Sequence, residues 1–241
     1  MWYLSVFVHR QFIGSEGTIQ RAVQISLIKH KVPGPMKSTG QLKTDRTIAL
    51  VGLMGAGKSA IGRRLGIHLG LPFIDADVEI ENNAGKTISD IFELEGEKAF
   101  RKCERRIIRR LLQRPVHVLA TGGGAFVDRE TRRLIRKKAL SIWLRADLET
   151  LLQRVLRRSD RPLLMEGDPR QILANLINER DPIYALADIV IDSVDSPHEE
   201  MIDKVVNGII SYDRLRGLTD GSRVDVKESQ GCPLYLRCRL L

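Results

Sequence analysis

From Arg46 onward the chain alternates short apolar runs with longer amphipathic stretches. Residues 47–51 form an apolar run that stops at Gly52, the pattern of a strand buried on both faces. Ile61, Leu65 and Leu69 then recur at helical spacing, predicting a helix over 59–69. Residues 71–74 read as a second strand, closed by Asp75-Ala76-Asp77. A helix is predicted over 88–112, with Arg and Glu on its outer positions. A strand over 116–120 follows and runs into Thr121-Gly122-Gly123-Gly124. The remaining pattern gives a helix over 131–137, a strand over 140–144 and helices over 148–158 and 169–179. A last strand over 189–191 and a closing helix over 197–210 complete it. Short apolar strands alternating with helices imply an α/β fold: three layers, α/β/α, around a central parallel sheet. Ligands of such sheets bind beyond the carboxyl ends of the strands. The unusual residues cluster there, at 52–59, 75–77 and 122–124.

Composition narrows the function classes. The three cysteines, Cys103, Cys232 and Cys238, have no metal-binding spacing, which points to a reducing compartment. The net charge of +9 would suit a nucleic-acid binder if it sat on the folded domain. Instead residues 1–43 carry six Lys/Arg against one acid, and 213–241 six against four. The block 44–212 is nearly neutral, 27 against 25. No nucleic-acid partner is therefore expected. No apolar run at the N-terminus is long enough to span a membrane, and a cytoplasmic protein is expected. Residues 1–43 read as a poorly ordered extension, with Met36 as an alternative start; an organelle transit peptide is the other reading. Residues 213–241 read as a loosely ordered tail.

Residues 52–59, GLMGAGKS, fit the pattern G-x-x-x-x-G-K-[ST] between a strand and a helix. Glycines let backbone N–H groups curl around phosphate oxygens, and the helix start adds its positive dipole end. Lys58 can bridge the β- and γ-phosphates of a nucleotide, and the Ser59 hydroxyl can ligate Mg²⁺. Asp75 and Asp77, two apart on a strand, would both face this loop; as plain helix caps they would mean less. The three glycines after the strand over 116–120 leave room for a ligand or form a flexible turn, and no acid stands at that strand end. Most arginines of the helix over 88–112 read as solvating its outer face. Arg101 differs, following Phe100 on the helix after the acidic pair. Arg161 precedes Pro162 in a polar, turn-rich stretch suited to a mobile lid, from which it can reach a transferring phosphoryl group.

Taken together, residues 44–212 resemble shikimate kinase, of the nucleoside-monophosphate-kinase-like P-loop group. The carriers are GLMGAGKS (52–59), FIDAD (73–77), GEKAFR (96–101), TGGGAF (121–126), RPLL (161–164) and ERDPIY (179–184). The resemblance implies a P-loop NTPase fold with a lid at about 156–169. It also implies phosphoryl transfer from ATP to the 3-hydroxyl of shikimate, with one Mg²⁺ per subunit and a monomeric enzyme. Gly55, Ala56, Gly57, Lys58, Ser59 and Ala60 would hold the ATP phosphates, with Arg154 against adenine and Arg161 as the lid arginine. Ser59 would ligate Mg²⁺, and Asp75 would assist through water. Asp77 would orient or deprotonate the attacked hydroxyl, while Arg101 and Arg180 clamp the carboxylate. Gly122, Gly123 and Gly124 would contact the ring hydroxyls, and Phe92 and Phe100 would form an apolar wall. The segment 191–197 departs from the family, lacking a basic residue before Pro197. Rival readings are a gluconate-type kinase, a nucleotide switch or binding protein, and a binder of nucleic acid through the basic flanks.

Overall fold

A computed structural model of the chain describes residues 2–10, 23–31, 44–157, 167–193 and 197–219. The chain divides into two compact units. The first contains two strands, β1 (Trp2–Arg10) and β2 (Val23–Lys31), paired antiparallel with Trp2 opposite Lys31 and Arg10 opposite Val23. The hydrophobic pattern assigned no strand to this stretch.

The second unit contains the predicted sheet. β3 (Thr47–Val51), β4 (Phe73–Asp75), β5 (Val118–Ala120), β6 (Ala139–Arg145) and β7 (Ile189–Asp192) pair in parallel in the order β4-β5-β3-β6-β7. Every residue of β3 and β5 is buried, as is β6 up to Leu144. This explains why those strands read as unbroken apolar runs.

Helices α1 (Lys58–Leu69) and α7 (His198–Thr219) pack together, and α3 (Ile88–Leu111) packs against both α2 (Ala76–Ala84) and α4 (Arg129–Lys138). α5 (Leu148–Leu156) packs on α6 (Pro169–Tyr184). The step from β3 to β4 runs one way along the sheet, whereas β4 to β5, β5 to β6 and β6 to β7 run the other way. Right-handed crossovers therefore place α1 on one face and α2–α6 on the other, giving the three layers. Neighbouring strands β3 and β5 send their chains to opposite faces, which opens a crevice at their carboxyl ends. The motifs that follow β3 and β5 meet there.

Three local differences bear on the site. β4 stops at Asp75, and Ala76–Ala84 forms a helix that the strand reading passed over. The Asp75 side chain caps it by accepting from the Asp77 N–H, so the two acids are an N-cap and a first-turn residue rather than alternating strand positions. The helix over 88–111 is broken at Gly96, where φ of 78° takes the backbone out of the helical region, so Arg101 rides on the segment beyond the break. α6 continues to Tyr184 through Pro182, five residues past its predicted end.

At the opposite end of the sheet the ring of His117 is buried before β5. Its Nδ1 lies 2.8 Å from the Pro115 carbonyl oxygen and 3.3 Å from Thr47 Oγ1, while Nε2 has no partner among the described residues. Burial holds its pKa below the usual 6.5, against the pull of the Pro115 carbonyl, and Arg114 adds to the depression. The native state therefore binds this proton less readily than the unfolded chain. Stability is complete above about pH 6.5 and is lost as pH falls toward the depressed native value. Thermal melts from pH 8 to 5 check this: the decline below pH 6.5 should be shallower in His117→Gln. Equal slopes would remove His117 as its source.

Candidate active site

The phosphate loop occupies the turn from β3 into α1. Gly57 is the N-cap of α1 with φ of 92°, a left-handed conformation that favours glycine, and it offers no side-chain acceptor to the helix. The first-turn amides of α1 are thus available to an anion. Lys58 Nζ donates to the carbonyl oxygens of Gly52 and Leu53, at 2.8 Å each, which folds the ammonium back over the loop. Ser59 Oγ donates to Asp75 Oδ2 at 2.6 Å, joining the helix start to the end of β4. These two oxygens are the hard, compact ligands that Mg²⁺ takes beside nucleotide phosphates, so the residues present fit that ion. Among the described residues no cluster of three His, Cys, Asp or Glu side chains could hold a metal by itself. Arg154, on α5, reaches the same loop: its guanidinium lies 3.4 Å from the Gly55 carbonyl oxygen and donates to Ser193 Oγ at 3.0 Å. Ser193, which sequence reasoning passed over, also donates to the Ala56 carbonyl at 3.2 Å.

A second cluster lies beside this loop, around the glycines after β5. Thr121 is buried and its hydroxyl donates to the Leu50 carbonyl at 3.0 Å, fixing the strand end to β3. A Cβ on Gly122 would stand 2.8 Å from Asp77 Oδ1 and 2.7 Å from Glu104 Oε1. A Cβ on Gly124 would collide with both terminal nitrogens of Arg101. The absence of side chains at these two positions is what lets an acid and a guanidinium approach the loop. Arg101 donates to Glu104 Oε2 at 2.8 Å and to Glu97 at 3.2 Å, and its charge lies 5.1 Å from the centre of the Phe100 ring. Phe92, half-buried, stacks at a tilt on Phe100, with ring centroids 4.6 Å apart. Arg180, half-buried on α6, stands next to the buried phenol of Tyr184.

Glu104 is the main residue that the sequence reading missed. It is 1% exposed, and its Oε1 has no hydrogen-bond partner among the described residues. Burial pushes its carboxyl up; Arg101 opposes that shift, and the neighbouring charges of Asp77 and Asp128 add to it. A signal was present: Phe100, Glu104, Ile107, Ile108 and Leu111 form one buried stripe of α3, so Glu104 is an acid in an apolar register, three residues from Arg101. Arg161 and most of the expected lid lie outside the described residues, as do residues 194–196 of the segment thought to border adenine.

The shikimate kinase family model matches residues 54–210. The shikimate kinase of Paramagnetospirillum magneticum is 56% identical over 170 residues, covering 70% of this chain and 87% of that protein. The shikimate kinase of Zymomonas mobilis is 50% identical over 161 residues, covering 67% of this chain and 92% of that one. Among solved structures, shikimate kinase from Acinetobacter baumannii in complex with shikimate superposes with a TM-score of 0.68 at 40% identity, over 70% of this chain and 94% of that one. The Aquifex aeolicus shikimate kinase gives 0.58 at 31% identity, over 73% and 99%. The family model spans well over half of the chain, and relatives 50–56% identical are matched over most of their own length: the chain belongs to the shikimate kinase family.

Proposed function

We propose that this chain transfers the γ-phosphoryl group of ATP to the 3-hydroxyl of shikimate, with one Mg²⁺ per subunit, as a cytoplasmic monomer. The observation that carries the reading is the meeting of Asp77, Glu104 and Arg101 around Gly122 and Gly124, next to the phosphate loop. An anionic polyol needs that combination: a guanidinium for its carboxylate and a carboxylate for its hydroxyls. Among the described residues no helix is long and apolar enough to cross a membrane.

In the proposed reaction the α1 amides hold the nucleotide phosphates, and Lys58 exchanges its carbonyl partners for phosphate oxygens. Ser59 would ligate Mg²⁺ and Asp75 would assist through water; when bound, the ion would neutralise negative charge on the nucleotide phosphates. Arg154 borders the nucleotide from α5. Arg101 and Arg180 grip the shikimate carboxylate, and Phe92 with Phe100 lines the ring face. The 3-hydroxyl oxygen forms a bond to the γ-phosphorus as the bond to the ADP oxygen breaks, and the hydroxyl proton passes to the Asp77 carboxylate. Arg161, from the lid, offsets charge on the transferring group, and closure keeps water from competing as acceptor.

Release of ADP across a panel of acceptors tests the reading. Shikimate should support turnover far above gluconate and above a blank without acceptor. Equal rates with gluconate would favour a kinase for another polyol acid, and acceptor-independent ADP release would favour a nucleotide switch. A further expectation concerns Gly124→Ala. The new methyl must displace the Arg101 guanidinium, the far end of a flexible side chain, so the fold should lose little stability. The KM for shikimate should rise by about tenfold or more, since a misplaced charge-assisted contact is worth roughly 1.5–3 kcal/mol. Steady-state kinetics with a melting curve check it; an unchanged KM would place the carboxylate elsewhere.

A further inference from the structure

Arg180 and Tyr184 lie one turn apart on α6. Tyr184 is fully buried, its ring stacked with Phe126 at 6.4 Å and with Trp143 at 5.8 Å between centroids. Its hydroxyl donates to the backbone carbonyl of Gly123, 61 residues earlier in the chain. Burial pushes the phenol up to about 12, while the positive charge of Arg180, one turn away, pulls the other way. The group therefore stays a protonated donor at any working pH.

Gly123 is also the point at which the glycine loop abuts the phosphate loop. A Cβ there would stand 3.4 Å from the Met54 nitrogen and 3.9 Å from the Gly52 carbonyl oxygen. The Tyr184 hydroxyl thus ties α6, which carries Arg180 one turn earlier, to the backbone between the glycine loop and the phosphate loop. The aromatic stack does not require that hydroxyl, because phenylalanine would fill the same volume against Phe126 and Trp143.

We propose that Tyr184 is a positioning residue of the phosphoryl transfer: its hydroxyl holds Arg180 and the Gly123 loop in one register and so sets where the bound acceptor sits relative to the γ-phosphoryl group. The proposal rests on the shikimate-kinase reading above. Tyr184 touches none of the reacting atoms and acts through Arg180 and Gly123.

The test is Tyr184→Phe in the full chain, assayed beside the unaltered protein with shikimate and Mg·ATP. The KM for shikimate should rise about three- to tenfold, the range expected for loss of one buried hydrogen bond, while the KM for ATP and the melting temperature change little. In an Arg180→Ala background the same change should add almost nothing to the shikimate KM, since both act on one contact. Trp143→Phe is the structural control: it thins the stack but keeps the hydroxyl, so it should lower the melting temperature and leave the shikimate KM alone. An unchanged shikimate KM in Tyr184→Phe, or full additivity with Arg180→Ala, would overturn the role. A Tyr184→Phe chain unable to fold would assign the hydroxyl to stability and overturn it equally. An unaltered chain inert toward shikimate would remove the functional reading instead, which separates the two failures.

Discussion

Replacing Asp77 with asparagine is expected to cut turnover by about a hundredfold to ten-thousandfold, the usual contribution of a positioned general base. Asparagine keeps the size and one acceptor oxygen, so the pocket keeps its shape, but an amide neither takes a proton nor carries charge. ATP affinity should hold within about twofold, because the phosphate-loop contacts run through Lys58, Ser59 and the α1 amides rather than through Asp77. Two effects on stability oppose one another. Asp77 lies in the first turn of α2, where its charge favours the helix by about 0.3–1 kcal/mol. Its charge also raises the cost of ionising the buried Glu104, so its removal gives some of that back. The melting temperature should therefore barely move while kcat collapses. Single-turnover kinetics with a calorimetric ATP titration check the split, and a near-normal kcat would remove Asp77 from the chemistry.

Arg101→Ala should raise the KM for shikimate by about a hundredfold or more, the cost of truncating a largely desolvated charge pair. It should also damage the fold in a way that depends on pH. Glu104 is buried and relies on Arg101 for its ion pair, 2.8 Å away. Without that partner its folded-state pKa, already raised by burial, rises further. A group whose folded pKa lies above its unfolded value is tolerated below the unfolded value and becomes a penalty as pH climbs through the folded one. The Arg101→Ala protein should thus lie closest to the unaltered chain near pH 4.5 and fall furthest behind at pH 8, by roughly 3–5 kcal/mol if the buried charge stays wholly uncompensated. Adding Glu104→Gln should restore most of the melting temperature at pH 8 without restoring the KM. Rescue of both would mean that the Arg101 guanidinium serves the fold alone.

Strands buried on both faces were legible from the sequence because burial leaves nothing polar in them. β3 was bounded to the residue, and β6 to within one at each end. The phosphate loop was legible for a different reason: phosphate binding by bare amides needs glycines at fixed spacing, and Lys58 with Ser59 must follow. α2 was lost because Asp75 and Asp77 were read as alternating strand positions. An acid ahead of Val78-Glu79-Ile80-Glu81 is as good a helix cap, and the side chain of Asp75 takes that role while also receiving the Ser59 hydroxyl. Glu104 was visible only as a charge out of register in an arginine-dense helix. The Tyr184 contact had no linear signal, since what defines it is Gly123 on another element. The close approach of Gly124 to Arg101 is likewise a property of two distant segments. A linear pattern records periodicity and local turns; which side chain fills the space that a glycine leaves is settled only once the chain is folded.

Isothermal titration calorimetry of the purified chain with shikimate, alone and with Mg²⁺ and a nonhydrolysable ATP analogue present, puts the whole construction at risk. One acceptor per chain should bind with measurable heat, and the Arg101→Ala protein should lose it under the same conditions. No heat from the unaltered chain with or without the analogue would mean that the cluster at Gly122–Gly124 is not a pocket for this acid.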